Sequence, residues 1–127
     1  MSPDPSTNGN ASPPRGLPVR QPFSEHLAEA TARRLEAIAK DTRIALLEVL
    51  SEGGARVQEL ADRVGVSHQN ASHHLTLLWR AGILTRRSEG TATRYEIEDW
   101  NTWRVVEQLA DWMRSREEEQ GTPSQPE

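Results

Sequence analysis

The feature that most constrains the fold of this chain is the stretch ELADRVGVSHQNASHHLTLLWRAGIL, which runs from Glu59 to Leu84. Around its start, apolar residues recur at the i, i+3, i+4 and i+7 positions of a helix: Val57, Leu60, Ala61 and Val64. Gly65 ends this short helix, because glycine adopts without strain the left-handed conformation that commonly follows a helix. Ser67 is a suitable N-cap for a second helix, which runs to about Ala81 and is closed by Gly82. Two helices joined by a tight glycine-containing turn predict a helix-turn-helix.

The flanking sequence predicts three more helices and a β-hairpin. A first helix with one apolar stripe is marked by Leu27, Ala30, Arg34, Leu35 and Ile38. A second helix covers residues 42–50, and its predicted inward residues are Ile44, Leu46, Leu47 and Leu50. The strands ILTRRS and TRYEIE flank a turn at Gly90, with Ile83, Tyr95 and Ile97 inward. A last helix begins after Asp99, a suitable N-cap, and runs to about Arg116. The order α-α-α-α-β-β-α predicts a mainly α fold with a small β-hairpin, which is a winged helix-turn-helix.

The second helix of the helix-turn-helix carries short polar side chains where surface helices usually carry Lys, Glu, Gln and Ala. In this motif the second helix lies in the DNA major groove, where Gln and Asn bond to adenine, His or Arg meets guanine, and Ser contacts several bases. The residues predicted to read base edges are Ser67, His68, Gln69, Asn70, Ser72 and His73. The alternative is an ordinary polar surface helix, which we disfavour because Ser, Asn and His are poor helix formers. His74 is set apart, as a residue expected to pack against the neighbouring helix.

The charge distribution is compatible with a DNA contact although the net charge of the chain is −4. Residues 55–98 contain six Arg and five acidic residues, so this part has a charge of +1, and a local basic face matters more for DNA than the total. The predicted contacts to phosphate and to the minor groove are Arg56, Arg80, Arg86, Arg87, Thr91 and Arg94, most of them in the hairpin. Double-stranded DNA is therefore the predicted partner.

The sequence AKDTRIALLEVLSEGGARVQELADRVGVSHQNASHHLTLLWRAGILTRRSEGTATRYEIED resembles the ArsR/SmtB family of bacterial winged-helix repressors. The matching pieces are Asp41-Thr42-Arg43, Glu59-Leu60-Ala61, Ser72-His73-His74-Leu75, Ala81-Gly82-Ile83-Leu84, and Gly90 with Arg94-Tyr95. The resemblance covers about half of the chain and runs unbroken. It implies a homodimer, an inverted-repeat operator, and repression that an effector relieves.

The resemblance also raises the question of a metal effector, since familiar members of the family sense metals through Cys. This chain contains no cysteine, which excludes a thiolate metal site and a thiol redox switch within it. A second family site uses an Asp and His residues of the last helix; Asp99 matches its first position, but no His follows it. We therefore expect no metal and no cofactor, while a small organic effector remains compatible with the sequence.

Dimerisation through the first and last helices is predicted from their apolar surfaces. On the last helix a broad apolar stripe exceeds what one small domain needs for its own core. The predicted interface residues are Leu27, Trp103, Val106, Leu109, Ala110, Trp112 and Met113. The same surface, with its Trp side chains, is compatible with a small apolar ligand, although a plain dimer core is the favoured interpretation.

The predicted domain organisation is a disordered N-terminal arm over 1–22, a winged helix-turn-helix domain for DNA binding and dimerisation over 23–116, and a disordered acidic and polar tail over 117–127. We expect no membrane segment and a cytoplasmic location, associated with the nucleoid when DNA is bound. No catalytic constellation is visible, so we expect no enzyme. The predicted function is sequence-specific DNA binding by a homodimeric transcriptional repressor. The alternative is a winged-helix module that binds protein without specific DNA binding.

Overall fold

The computed structural model describes residues 21–120. Its helices and strands, in chain order, are α1 (Glu25–Ile38), α2 (Asp41–Leu50), β1 (Ala55–Arg56), α3 (Val57–Val64), α4 (His68–Arg80), β2 (Leu84–Glu89), β3 (Ala92–Ile97) and α5 (Trp100–Glu119). The chain divides after Ala30 into two compact units. In the first unit Ser24 caps α1, because its hydroxyl accepts a hydrogen bond from the backbone N–H of Leu27 at 3.0 Å. The predicted N-terminal arm lies outside the described residues except for its last two, as do residues 121–127.

The turn between α3 and α4 follows the pattern predicted from the sequence. Gly65 has φ +85°, and the N–H groups of Gly65 and Val66 donate to the carbonyl of Ala61 at 2.8 and 3.1 Å. Ser67 then begins α4, and its hydroxyl accepts from the backbone N–H of Asn70 at 3.0 Å. These local bonds satisfy the free ends of both helices and fix the direction in which α4 leaves the turn.

The hydrophobic core of the second unit lies between α2, α3, α4 and the sheet. Its largest fully buried side chains are Leu46, Leu47, Leu50, Leu60, Leu75, Leu78, Ile83 and Tyr95. The inward prediction for Ile44 is wrong, since this side chain is 40% exposed. The buried residues of α2 are Leu46, Leu47 and Leu50, so Ile44 lies outside the face of the helix that packs into the core.

The sheet has three strands in the order β1-β3-β2, all antiparallel. Strand β1 consists of two residues that the sequence did not predict, and it pairs Ala55 with Tyr95 and Arg56 with Arg94. In the hairpin, Leu84 lies opposite Ile97 and Arg87 opposite Arg94. Because side chains directly opposite one another share a face, the apolar residues of the hairpin point to the core. The opposite, outer face of the sheet carries the side chains of Arg56, Arg87, Glu89, Arg94 and Glu96.

Helix α5 begins after Asp99, which is its N-cap as predicted: the Asp99 carboxylate accepts from the Thr102 backbone N–H at 3.1 Å and from the Thr102 hydroxyl at 2.6 Å. The helix continues to Glu119, three residues beyond the predicted end, so the start of the predicted tail is helical. At its beginning α5 is tied to the end of α4 through α1. Arg34 donates to the carbonyl of Ala81 at 2.7 Å and lies 3.8 Å from the Asp99 carboxylate.

Candidate nucleic-acid interface

The first two turns of α4 present one continuous polar surface. Five of the six predicted base-reading residues are exposed, and Ser72 is half-buried. The opposite face of the helix is buried, because Ala71, Leu75 and Leu78 are each 0% exposed. The structure thus brings all six residues to the N-terminal part of one helix while its apolar face holds that helix against the core. Of the six, the Ser67 hydroxyl is already engaged as the N-cap.

We call the hairpin formed by β2 and β3 the wing. A groove separates the polar surface of α4 from the tip of the wing. It has a volume of about 320 Å³ and is lined by Arg56, Val57, Gln58, His68, Ser72, Thr91, Ala92 and Thr93. Residues of β1, α3, α4 and the wing, among them side chains with hydroxyl, amide, imidazole and guanidinium groups, therefore border one space. Gln58 and Thr93 were not predicted, and no local pattern identifies them, because they reach the groove only through the packing of separate elements.

The basic side chains on the outer face of the sheet converge on Glu89. Arg56 donates through Nε to the Glu89 carboxylate at 2.9 Å, while Arg87 and Arg94 lie 3.6 and 3.9 Å from it. Arg87 also lies 3.7 Å from Glu96. The hydrogen bond from Arg56 is the largest cause that lowers the pKa of Glu89, followed among the lowering causes by the charges of Arg56, Arg94 and Arg87. We call these four residues, Arg56, Arg87, Glu89 and Arg94, the wing cluster.

This arrangement alters the prediction that Arg94 contacts phosphate. Its Nη2 donates to the Gly54 carbonyl at 2.9 Å, which ties β3 to the loop before β1, and its side chain is 29% exposed. Arg94 is therefore a structural residue of the sheet in the free protein. Arg56 and Arg87 are more open, at 52% and 61% exposed, but each already has a carboxylate within ion-pair distance.

Arg86 lies on the other face of the hairpin from the wing cluster. Its guanidinium stacks over the ring of Trp79 at 3.5 Å from the centroid, a cation–π contact that joins β2 to the end of α4. Arg80, in the last turn of α4, is exposed, and so is Thr91 at the wing tip. The six predicted phosphate contacts thus occupy several surfaces rather than one basic face.

Behind the polar surface, His74 is buried at 7% exposure, and its Nδ1 lies 3.0 Å from Nη1 of Arg43 on α2. Since a guanidinium can only donate, Nδ1 is the acceptor and carries no proton. Burial is the largest cause that lowers the pKa of His74, and the charge of Arg43 lowers it further. A neutral His74 therefore links the recognition helix α4 to α2.

The predicted interface residues of α5 fall into two groups. Val106 is 7% exposed within its own chain and Trp103 packs against the same core, so Val106 is a core residue of the monomer and its assignment to a dimer interface is wrong. The helix turns this side chain inward because Val106 lies one turn after Trp103, on the face toward the domain. Leu109, Ala110, Trp112 and Met113 are exposed, and so is Leu27 of α1.

Across residues 21–120, no three His, Asp or Glu side chains are grouped so that they could hold a metal ion. None of the helices in that range combines the length and the apolar character that crossing a membrane requires.

Comparison with protein families matches residues 38–87, from the end of α1 through α2, α3, α4 and most of β2, to a family described as a helix-turn-helix domain. The chain is 38% identical over 77 residues to a homolog of the cadmium resistance transcriptional regulatory protein CadC from Staphylococcus aureus. This match covers 60% of the chain and 64% of the relative, so the chain spans less than two thirds of that protein. A putative arsenical resistance operon repressor, ArsR2 from Halobacterium salinarum, is 36% identical over 86 residues, which is 66% of the chain and 71% of the relative.

Solved structures agree with these sequence matches. The antimony-specific transcriptional repressor AntR superposes with a TM-score of 0.77 at 29% identity, over 84% of this chain and 97% of that one. A homodimeric winged helix-turn-helix DNA-binding domain from Mycobacterium bovis, described as a possible ArsR-family regulator, gives 0.62 at 28% identity, over 75% and 91%. All four are described as regulators or repressors of transcription, two of them as putative or possible, and none is described as an enzyme. These relatives do not favour the alternative of a protein-interaction module. The chain belongs to the ArsR/SmtB family of winged helix-turn-helix transcriptional regulators.

Proposed function

We propose that this chain is a homodimeric repressor that binds an inverted-repeat operator through α4. The observation that carries the proposal is the exposed polar surface at the start of α4, backed by a fully buried apolar face. Amide, hydroxyl and imidazole groups on one rigid helix match the donors and acceptors of base edges in the major groove. The N-terminal residues of a recognition helix are the ones that reach those edges.

The exposed surface of α5 supports the dimer. Large apolar side chains stay about half exposed along this helix: Trp100, Val105, Leu109, Trp112 and Met113. Such a surface is more extensive than isolated exposed apolar residues and is typical of a protein–protein contact. A second copy that covers it would place two α4 helices in one assembly, and two half-sites about one helical turn of DNA apart would accept them.

We also propose that the repressor works without a thiolate-bound metal and without thiol chemistry, because this chain contains no cysteine. A small organic molecule is the class of effector that we propose, and the Trp side chains of α5 offer it apolar surface. Since its partner is DNA, we propose the cytoplasm as its location, with association to the nucleoid when bound.

The roles of the α4 residues can be tested with three variants and two duplexes. Gln69→Ala and His73→Ala should each reduce the preference for the operator over a scrambled duplex, with little change in binding to the scrambled one, because they remove contacts to bases. The matched control is Arg80→Ala on the same helix, which should weaken binding to both duplexes alike and reduce the salt dependence, because it removes a charge. Fluorescence anisotropy at several salt concentrations measures both quantities. If all three variants lose the same factor on both duplexes, α4 does not read bases.

A further inference from the structure

The wing cluster contains a carboxylate in a position where a DNA phosphate would compete for the same donors. Glu89 is the last residue of β2, next to the wing turn, and its side chain is 26% exposed. Its Oε1 accepts from Arg56 Nε at 2.9 Å, and its Oε2 lies 3.6 Å from Arg87. A carboxylate and a phosphodiester each present two oxygens and one negative charge, and a guanidinium binds both in the same manner.

We propose that Glu89 limits the affinity of this protein for DNA by occupying the guanidinium of Arg56, which would otherwise bind a phosphate in the groove between α4 and the wing. This inference rests on the proposed function and deepens it. Arg56 lines that groove together with Ser72 and Thr91, two residues whose side chains carry hydroxyl groups. Turning from Glu89 to a phosphate requires only rotation of its half-exposed side chain, because the Arg56 backbone is held separately.

The backbone of Arg56 is fixed by bonds that do not involve its guanidinium. Its N–H donates to the Glu59 carboxylate at 2.9 Å, and its strand pairs with Arg94 of β3. Glu89 in turn stays ionised, since the surrounding guanidinium groups lower its pKa. The Glu89 carboxylate and a phosphate therefore compete for the same Arg56 guanidinium, and the backbone does not change.

The test is the affinity of the Glu89→Gln variant for a scrambled duplex, measured by anisotropy over a range of salt concentrations. If one guanidinium is released to a phosphate, the slope of log K against log salt should become steeper by about 0.9. The affinity for the scrambled duplex should then rise roughly five- to tenfold at 0.1 M salt. The matched control is Glu96→Gln, which removes a charge from the same face of the sheet but leaves Arg56 and Glu89 paired. The gain in affinity of Glu96→Gln should be less than half that of Glu89→Gln.

A double-mutant cycle separates the occupation of Arg56 from a general charge effect. In an Arg56→Ala background the Glu89→Gln change should lose most of its gain, because the released guanidinium is absent. The Arg56→Ala variant keeps the backbone bond to Glu59, and thermal melting by circular dichroism checks that every variant is folded. The proposal is overturned if Glu89→Gln raises the affinity no more than Glu96→Gln does, or if it lowers the affinity. It is also overturned if the gain from Glu89→Gln persists in the Arg56→Ala background. Failure of every variant to bind any duplex at low salt would overturn it as well.

These outcomes are distinguishable from those that test the proposed function. If the wild-type protein binds the operator and a scrambled duplex equally, sequence-specific repression fails, yet the effect of Glu89 on the scrambled duplex is still measured. If operator preference holds and Glu89→Gln changes nothing, the repressor stands and the role of Glu89 is refuted.

Discussion

Neutral His74 makes the stability of this protein depend on pH, and the direction follows from its surroundings. The side chain is 7% exposed and accepts at Nδ1 from Arg43. Burial, then the charges of Arg43, His73 and Lys40, lower its pKa, while Asp41 has the opposite effect. In the unfolded chain the same side chain has its ordinary pKa of about 6.5 and binds a proton more readily. Stability due to the neutral form is therefore complete above pH 6.5 and is lost as the pH falls below it.

The magnitude has an upper limit set by one proton. If His74 stays neutral in the folded protein while the unfolded chain titrates, the free energy of unfolding falls by up to about 1.4 kcal/mol between pH 7.5 and 5.5. Glu89 and Asp99 have lowered pKa values, so their contributions are lost at more acidic pH, outside this window. The decrease in this range is thus assigned to histidine.

Urea denaturation at pH 7.5, 6.5 and 5.5, at one protein concentration, measures this dependence. The His74→Asn variant supplies an amide oxygen near the position of Nδ1 and cannot take up a proton, so it should lose less stability over the same range than the wild type. The control His73→Asn changes the exposed neighbouring histidine and should keep most of the wild-type dependence, because His74 is still present. Equal dependence in the wild type and His74→Asn, or a wild-type protein that is more stable at pH 5.5, would refute the reasoning.

Four further substitutions have expected results. Ser67→Ala removes the N-cap of α4 and should lower the free energy of unfolding by about 1 kcal/mol, measured by urea denaturation; no change would contradict the capping role. Leu60→Ala empties a fully buried position and should cost about 2–5 kcal/mol in the same assay, whereas a cost below about 1 kcal/mol would mean that this core position is not tightly packed. Leu109→Glu places a charge on the exposed face of α5 and should shift the protein from dimer to monomer in analytical ultracentrifugation. Val106→Ala, its buried neighbour, should instead lower stability, and the reverse pattern would refute the division of α5 into two faces.

The helix-turn-helix could be predicted from the sequence because its signals are local. Gly65 and Ser67 lie next to the helix ends that they define, and the apolar spacing before them gives α3 its bounds. Asp99 at the start of α5 is a signal of the same kind. Each depends on residues within three or four positions, so the chain around it determines the conformation.

The parts that could not be predicted depend on contacts between distant residues. Arg56 and Glu89 are 33 positions apart, and Arg94 and Gly54 are 40 apart, so no local pattern shows that these groups bind each other. A list of arginines near a hairpin therefore overestimates the cations available to DNA. Strand β1 was missed for the same reason, because two residues form a strand only when β3 lies beside them.

The two faces of α5 show the limit of helical periodicity. The pattern identifies a broad apolar stripe but does not show where the core of the domain ends and an outer surface begins. The structure places Val106 in the core and leaves Leu109 59% exposed. Which part of the α5 stripe is buried depends on where the sheet and the other helices lie, and the local sequence does not show this.

A DNA titration can show whether this protein recognises a DNA sequence as a dimer. The purified wild-type protein is titrated by anisotropy, at several salt concentrations, onto DNA from upstream of its own gene and onto a scrambled duplex of equal length. We expect a preference of at least about a thousandfold for the upstream DNA, with two chains per site. Equal and weak binding to both duplexes, or no binding at low salt, would contradict it.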